Sequence, residues 1–211
     1  MPPETVQIQR RSQEDRVRET RNVAFGAIVS SLDDYGYSAT TFSTIQKRSG
    51  LSRGALTYHF ASKKDMMVFA CRRLLKAAIR PTNTASREQS EATGNIVDFL
   101  VFYWRQVVNT REGRAFIEIL IASRTDPELD AEIGPMLAEW DSEIRKASLD
   151  RFVAVRGSDE DIELLWSMAR TFLRGLVIHA RFTNDPGELE VMLRRFAQTL
   201  AEDLRLKGVQ R

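Results

Sequence analysis

Apolar residues recur every three or four positions along most of this 211-residue chain, and no stretch reads as a period of two. A 3.6-residue period gathers such residues on one face of a helix, so the pattern predicts helices throughout and no strand. The first runs from about Ser12 to Tyr35. Ala24, Ala27, Ile28 and Leu32 face inward, Ser12 and Asp15 form a capping pair, and Gly36 is the stop. Met1–Arg11 reads as a tail whose Arg10 and Arg11 are a possible basic arm. Two short segments anchored by Ile45 and Leu56 come next, with Tyr37 and Phe42 packed beneath them. Ser62–Asp65 then opens a helix to about Arg80 that carries Met66, Met67, Phe69, Leu74 and Leu75. Pro81–Ser90 is polar and rich in breakers, hence a loop.

The remaining pattern is helical as well. Ile96–Val108 is apolar nearly all round, as in a buried helix, and its Asp98 and Arg105 pair with each other or meet a polar ligand. Arg111–Arg124 turns Phe116, Ile117, Leu120 and Ile121 inward. Asp126-Pro127 starts a short helix, Gly134-Pro135 breaks it, and Met136–Phe152 continues with Leu137, Trp140, Ile144 and Leu149. Ser158 and Asp161 cap a helix to Phe182. Asp185-Pro186-Gly187-Glu188 starts the last one, which runs to about Lys207 before Gly208. The fold class is all-α.

Thr40–Lys63, TTFSTIQKRSGLSRGALTYHFASK, is the most informative stretch. Gly50 can take a positive φ and end one helix sharply, Leu51 plugs the crossing, and Ser52 caps the next helix. Gly54 is a poor helix former, by about 1 kcal/mol against Ala, so its reason is close approach to another surface. Arg53, Thr57, Tyr58, His59 and Lys63 are left outward, with donors suited to base edges and phosphates. The arrangement is a helix-turn-helix.

This motif resembles that of the TetR (tetracycline-repressor-like) family of bacterial regulators. The resemblance is carried by Thr41, Ile45, Gly50-Leu51-Ser52, Gly54, Leu56, Tyr58-His59-Phe60, Lys63 and Met66. Gln46 and Ser49 stand where the family pattern has Ala, and Thr57 stands where it has a first Tyr, leaving Tyr58 to supply that phosphate contact. The resemblance implies an N-terminal three-helix DNA-binding domain, residues 1–65, followed by a larger helical ligand-binding and dimerisation domain, residues 66–211. It also implies a homodimer paired through the last two helices, a small-molecule inducer, and repression more than activation. Such a dimer sets two recognition helices in successive major grooves about 34–36 Å apart, on a palindromic double-stranded DNA operator. Arg53 and Thr57 then read bases, Thr41, Ser52, Tyr58, His59 and Lys63 hold phosphates, and Gly54 allows the approach. The helix beginning at Lys63 touches both regions and is the expected lever.

Charge supports the division. Residues 1–77 hold 13 Lys and Arg against 7 Asp and Glu, a net +6, whereas residues 78–211 hold 18 against 22, a net −4. The basic half is the half with the motif. A single cysteine, Cys71, excludes an internal disulfide and suits a reducing, cytoplasmic setting. No apolar run reaches the roughly 18 residues of a membrane span.

Catalytic chemistry is thin. His59 belongs to the motif and His179 stands alone on an apolar helix, so no metal-ligand spacing, phosphate loop or nucleophile elbow emerges, and neither enzyme activity nor a cofactor is expected. The C-terminal region instead offers large aromatics spread over several helices, as ligand-holding bundles do. Tyr103, Trp104, Phe116, Trp140, Phe172 and His179 are the candidate ligand contacts. Arg105, Glu118, Arg170 and Arg174 are further polar groups that could orient a ligand. A DNA-binding protein of the same fold without an inducer, architectural or dependent on a co-repressor, stays open as the alternative.

Overall fold

The computed structural model describes residues 13–83 and 95–208. The Ser12 cap, the Met1–Arg11 tail and residues 84–90 of the expected loop lie outside them. Helix α1 (Gln13–Ala39) bends at Gly36, whose φ of 77° only glycine takes at little cost, so the helix proper ends at Tyr35 and one further turn follows. Next come α2 (Phe42–Ser49), α3 (Arg53–His59) and α4 (Lys63–Asn83). Together α1–α3 form a small head. The backbone of α4 stays helical three residues past Arg80, so Pro81 sits in its last turn and does not open the loop.

The larger body begins with α5 (Ile96–Tyr103). At Trp104–Val108 this helix widens into a π turn, in which Asn109 N–H donates to Trp104 O at 2.7 Å. The body continues with α6 (Arg111–Ser123), α7 (Pro127–Arg151), α8 (Asp159–His179) and α9 (Pro186–Leu200). Pro135 does not break α7. Leu129, Ile133, Trp140 and Ile144 form one buried stripe that holds both halves, while Ala131 and Pro135 are exposed, so the carbonyl that loses its donor faces water. On α6 the inward residue is Ile119, and Ile121 points out at 47 % exposure. A one-turn apolar cluster at helical spacing does not say which of its members lies on the outer edge.

Two short strands contradict the all-helical pattern. Phe152–Ala154 (β1) pairs antiparallel with Leu204–Leu206 (β2), Phe152 opposite Leu206. Leu204 and Leu206 are buried with Arg205 outward between them, a period of two across three residues. Leu200 and Leu204 are also four apart, which let the segment read as helix. The ribbon ends α7 and carries the chain back after α9. Phe152 joins an aromatic cluster with Phe99 and Trp166, ring centroids 5.6 and 5.1 Å away. The class remains all-α.

One apolar core runs from head to body. In the head it is built on Ile28, Leu32, Ile45, Leu56 and Phe60; α6 lies along α1, and α4 packs on α7. Among the described residues no helix is long and apolar enough to cross a membrane.

Candidate nucleic-acid interface and body cavity

The turn between α2 and α3 sets the geometry of the head. Gly50 takes φ 70° and its N–H donates to Gln46 O, closing α2. Ser52 caps α3 by accepting from Ala55 N at 3.1 Å, and Thr41 caps α2 by accepting from Thr44 N at 3.2 Å. Leu56 and Phe60 are buried beneath α3, which leaves Arg53, Gly54, Thr57 and Tyr58 on the outside. Tyr58 is 75 % exposed. Arg53 lies over the Phe42 ring at 4.6 Å, which steers its guanidinium along the outer face. The Thr57 hydroxyl returns to the Arg53 and Gly54 carbonyls.

Two residues of this set are partly engaged inside. His59 packs edge-on to Tyr58 and against Phe60, and burial with the nearby Arg21 charge holds its pKa below the ordinary histidine value. Lys63 donates to the carbonyls of Tyr37 and Ser38 at 2.7 and 3.2 Å, lies over the Tyr37 ring, and is pulled below the usual lysine pKa by desolvation. It joins the start of α4 to the α1–α2 corner and keeps one N–H for an outside partner.

The body contains a cavity of about 320 Å³. Its wall includes Leu74 of α4, Tyr103 of α5, Val107 and Val108 of the π turn, Phe116 and Ile117 of α6, Trp140 of α7 and Arg174 of α8. Tyr103, Phe116 and Trp140 therefore come together around one space. Trp104, Phe172 and His179 do not line it. Trp104 is buried in the core, Phe172 stacks on Phe196 of α9 at 3.9 Å, and His179 sits near Phe182 where α8 ends. Gln106 of the π turn and Thr110, the cap of α6, are also in the wall, and nothing in the helical pattern marks such a turn. Asp98 and Arg105 do not pair with each other. Arg105 bridges to Glu190 at 2.7 Å and Asp98 to Arg194 at 3.5 Å, both on α9. Arg170 bonds Asp141 at 2.7 Å, and Glu118 accepts from Tyr37 N–H.

Helix α6 connects the two places. Its Arg114 bonds both oxygens of Asp33 on α1, at 2.6 and 2.9 Å, and Asp33 is 8 % exposed. This paired hydrogen bonding holds the Asp33 carboxyl below the usual aspartate pKa. Tyr37 also reaches α7, its hydroxyl donating to Asp126 at 3.1 Å. Burial pushes the Tyr37 phenol up to about 12. The same α6 supplies Gly113 to the cavity wall, tight against the π turn. A Cβ there would meet the Val108 and Val107 carbonyl oxygens at 2.2 and 2.5 Å.

Residues 26–68 match the model of the bacterial regulatory proteins of the tetR family. An uncharacterised HTH-type transcriptional regulator of Mycobacterium tuberculosis is 25% identical over 138 residues, 65% of this chain and 70% of the relative. The fold is shared with a TetR transcriptional regulator from Chloroflexus aurantiacus J-10-FL (TM-score 0.63, 20% identity, 90% of this chain and 98% of that one). It is also shared with the multidrug binding protein EbrR complexed with ethidium (TM-score 0.56, 20% identity, 86% and 98%).

Proposed function

We propose that this TetR-family DNA-binding transcriptional regulator is a repressor which holds a palindromic operator as a homodimer and releases it when a small molecule fills the body cavity. In this reading residues 1–65 are the DNA-binding domain and 66–211 the ligand-binding and dimerisation domain, with α4 crossing the boundary. Arg53 bonds a guanine and Thr57 touches a base edge or a thymine methyl. Thr41, Ser52, Tyr58, His59 and the free N–H of Lys63 hold phosphates, and Gly54 lets the backbone come close.

The observation that carries the regulatory half is α6. One rigid helix forms part of the cavity wall through Gly113, Phe116 and Ile117 and bonds the head through Arg114 and Glu118. A ligand that fits the cavity better with α6 displaced favours a different head position, which is a population shift. Helix α4 is the second lever, with Lys63 at the head and Leu74 at the cavity. The ethidium complex of EbrR is a precedent for an organic ligand in this fold.

Dimerisation is supported by the outer face of α8 and by the turn directly after it, which holds Phe182. Leu164, Met168, Ile178 and Phe182 are 56, 52, 48 and 76 % exposed. With Thr171 and Gly175 they repeat at alternating steps of four and three, the period of a helix–helix seam. A Cβ on Gly175 would meet no other atom within 4 Å among the described residues, so that side is open to a second helix. Val191 of α9, 68 % exposed, adds to the face.

The test is footprinting of the DNA upstream of the protein's own gene, and of binding sites selected from random sequence, across a salt series. The expected result is protection of a short palindrome, with affinity falling steeply as salt rises. Arg53→Ala should weaken it by about 1–3 kcal/mol and relax one base position. Salt-independent affinity without a footprint on any sequence overturns the DNA reading. A monomer at micromolar concentration in light scattering overturns the dimer.

A further inference from the structure

The cavity holds a charge that has no ion-pair partner among the described residues. Arg174 projects from α8 into the cavity wall, its guanidinium 5.9 Å from the Phe116 ring centre and 5.4 Å from that of Trp140. It forms no ion pair and no hydrogen bond among the described residues. Asp141, the carboxylate whose charge reaches it, is already bonded by Arg170 and Arg145, at 2.7 Å each. Arg170 adds a second positive charge close by, and Glu112, the acid in the wall, is exposed at the start of α6. A second donor is idle as well, since the indole Nε1 of Trp140 is buried without a partner.

A guanidinium does not shed its proton to escape burial. Desolvation and Arg170 nonetheless press its pKa down, a sign of how poorly the site solvates it. A half-buried charge without an ion-pair partner is unfavourable, and its retention calls for a role. We infer that the cavity takes an amphipathic organic anion, with a carboxylate or similar head on Arg174 and an apolar body against Phe116, Trp140, Val107 and Ile117. The inference rests on the ligand-responsive reading above and names the class of ligand. A cation meets repulsion from Arg174 and Arg170 and competes with Arg174 for the same aromatic faces. A neutral molecule leaves the charge unanswered. A polyanion such as a nucleotide needs several donors, whereas most of this wall is apolar, and about 320 Å³ lies at the small end of ligand cavities.

The experiment is calorimetric titration of the full chain with 2-naphthoate, 2-naphthylmethanol and 2-naphthylmethylammonium, three heads on one apolar body. Naphthoate should bind about tenfold or more tighter than the alcohol, with the ammonium weakest. Arg174→Met should erase the preference while keeping or raising the melting temperature, because it removes a half-buried charge that has no ion-pair partner. Arg174→Lys, which keeps the charge without the fork, should retain part of it. Equal binding of the three heads, a preference for the ammonium, no binding of any of them, or a preference that survives Arg174→Met overturns the inference. The operator complex separates this failure from that of the broader reading. Release by the ammonium leaves ligand responsiveness standing and removes the anion. Naphthoate binding with the operator complex intact does the reverse.

Discussion

In the head, Gly54 has no internal reason to be glycine. A Cβ there meets only the Ser52 hydroxyl, at 4.0 Å. In the body, Gly113 has nothing but an internal reason, because its Cβ would collide with two backbone carbonyls of the π turn. The same contrast extends to polar groups. The head turns Arg53, Thr57 and Tyr58 outward around a small buried core, and their chemistry faces a partner larger than the chain. The body turns Arg174 inward among aromatics, and in the proposed reading its chemistry faces a ligand small enough to enter the cavity. In both regions function is assigned most firmly where the described chain gives a residue least to do, at Gly54 and Tyr58 in the head and at Arg174 in the body. Arg105, an expected ligand-orienting group, instead pairs with Glu190 away from the cavity.

The largest expected effect sharpens this contrast directly. Gly113→Ala should destabilise the protein by about 2–3 kcal/mol in urea unfolding, since backbone must move to admit the methyl. It should also reshape the cavity wall. Gly54→Ala should do the opposite to stability, raising it by up to about 1 kcal/mol through helix propensity while weakening operator binding. Should Gly54→Ala bind DNA as well as the parent, the idle-residue argument fails for the head.

Next in size is the joint between the regions. Arg114→Ala leaves the nearly buried Asp33 with only Arg111, 3.3 Å away. Arg114 is itself one-third exposed, so a full buried-pair penalty does not apply, and a loss of about 1–2 kcal/mol is expected. The ligand-induced release of DNA should weaken more than the binding of ligand or DNA taken separately. Equal loss of all three would make Arg114 a fold residue and leave α6 without its assigned role.

The two regions also differ in how much of them the sequence displays. The head is written in punctuation. Gly50 needs its left-handed backbone, Ser52 needs its capping oxygen, and each choice is visible one residue at a time. Caps carry the body's starts equally well, Asp126-Pro127 and Ser158 with Asp161 among them. Its interior is different. Tyr103 beside the cavity and Trp104 in the core are adjacent aromatics on one apolar helix, and only the π turn decides which of them meets empty space. Arg174 is one of several arginines spaced along the last two helices, and its isolation depends on Asp141 being taken by residues four positions away on either helix. The β1–β2 pair joins residues some fifty positions apart, beyond any local pattern.

The smallest expected effect concerns His59, and there stability and binding move in opposite directions. Its folded pKa is held below its unfolded value by burial first and by Arg21 second. The unfolded chain therefore takes up a proton more readily as pH falls below about 6.5. Folding stability contributed by neutral His59 is present above that pH and declines below it, levelling off once the folded residue also protonates. On DNA the sign reverses, because a phosphate beside the ring favours the imidazolium and raises its pKa. Between pH 7.5 and 6 the free protein should lose a little thermal stability while operator affinity gains beyond what other groups supply. His59→Gln should flatten both slopes. If it flattens the stability slope alone, His59 packs the head and touches no phosphate, which would move it from the outward set to the inward one.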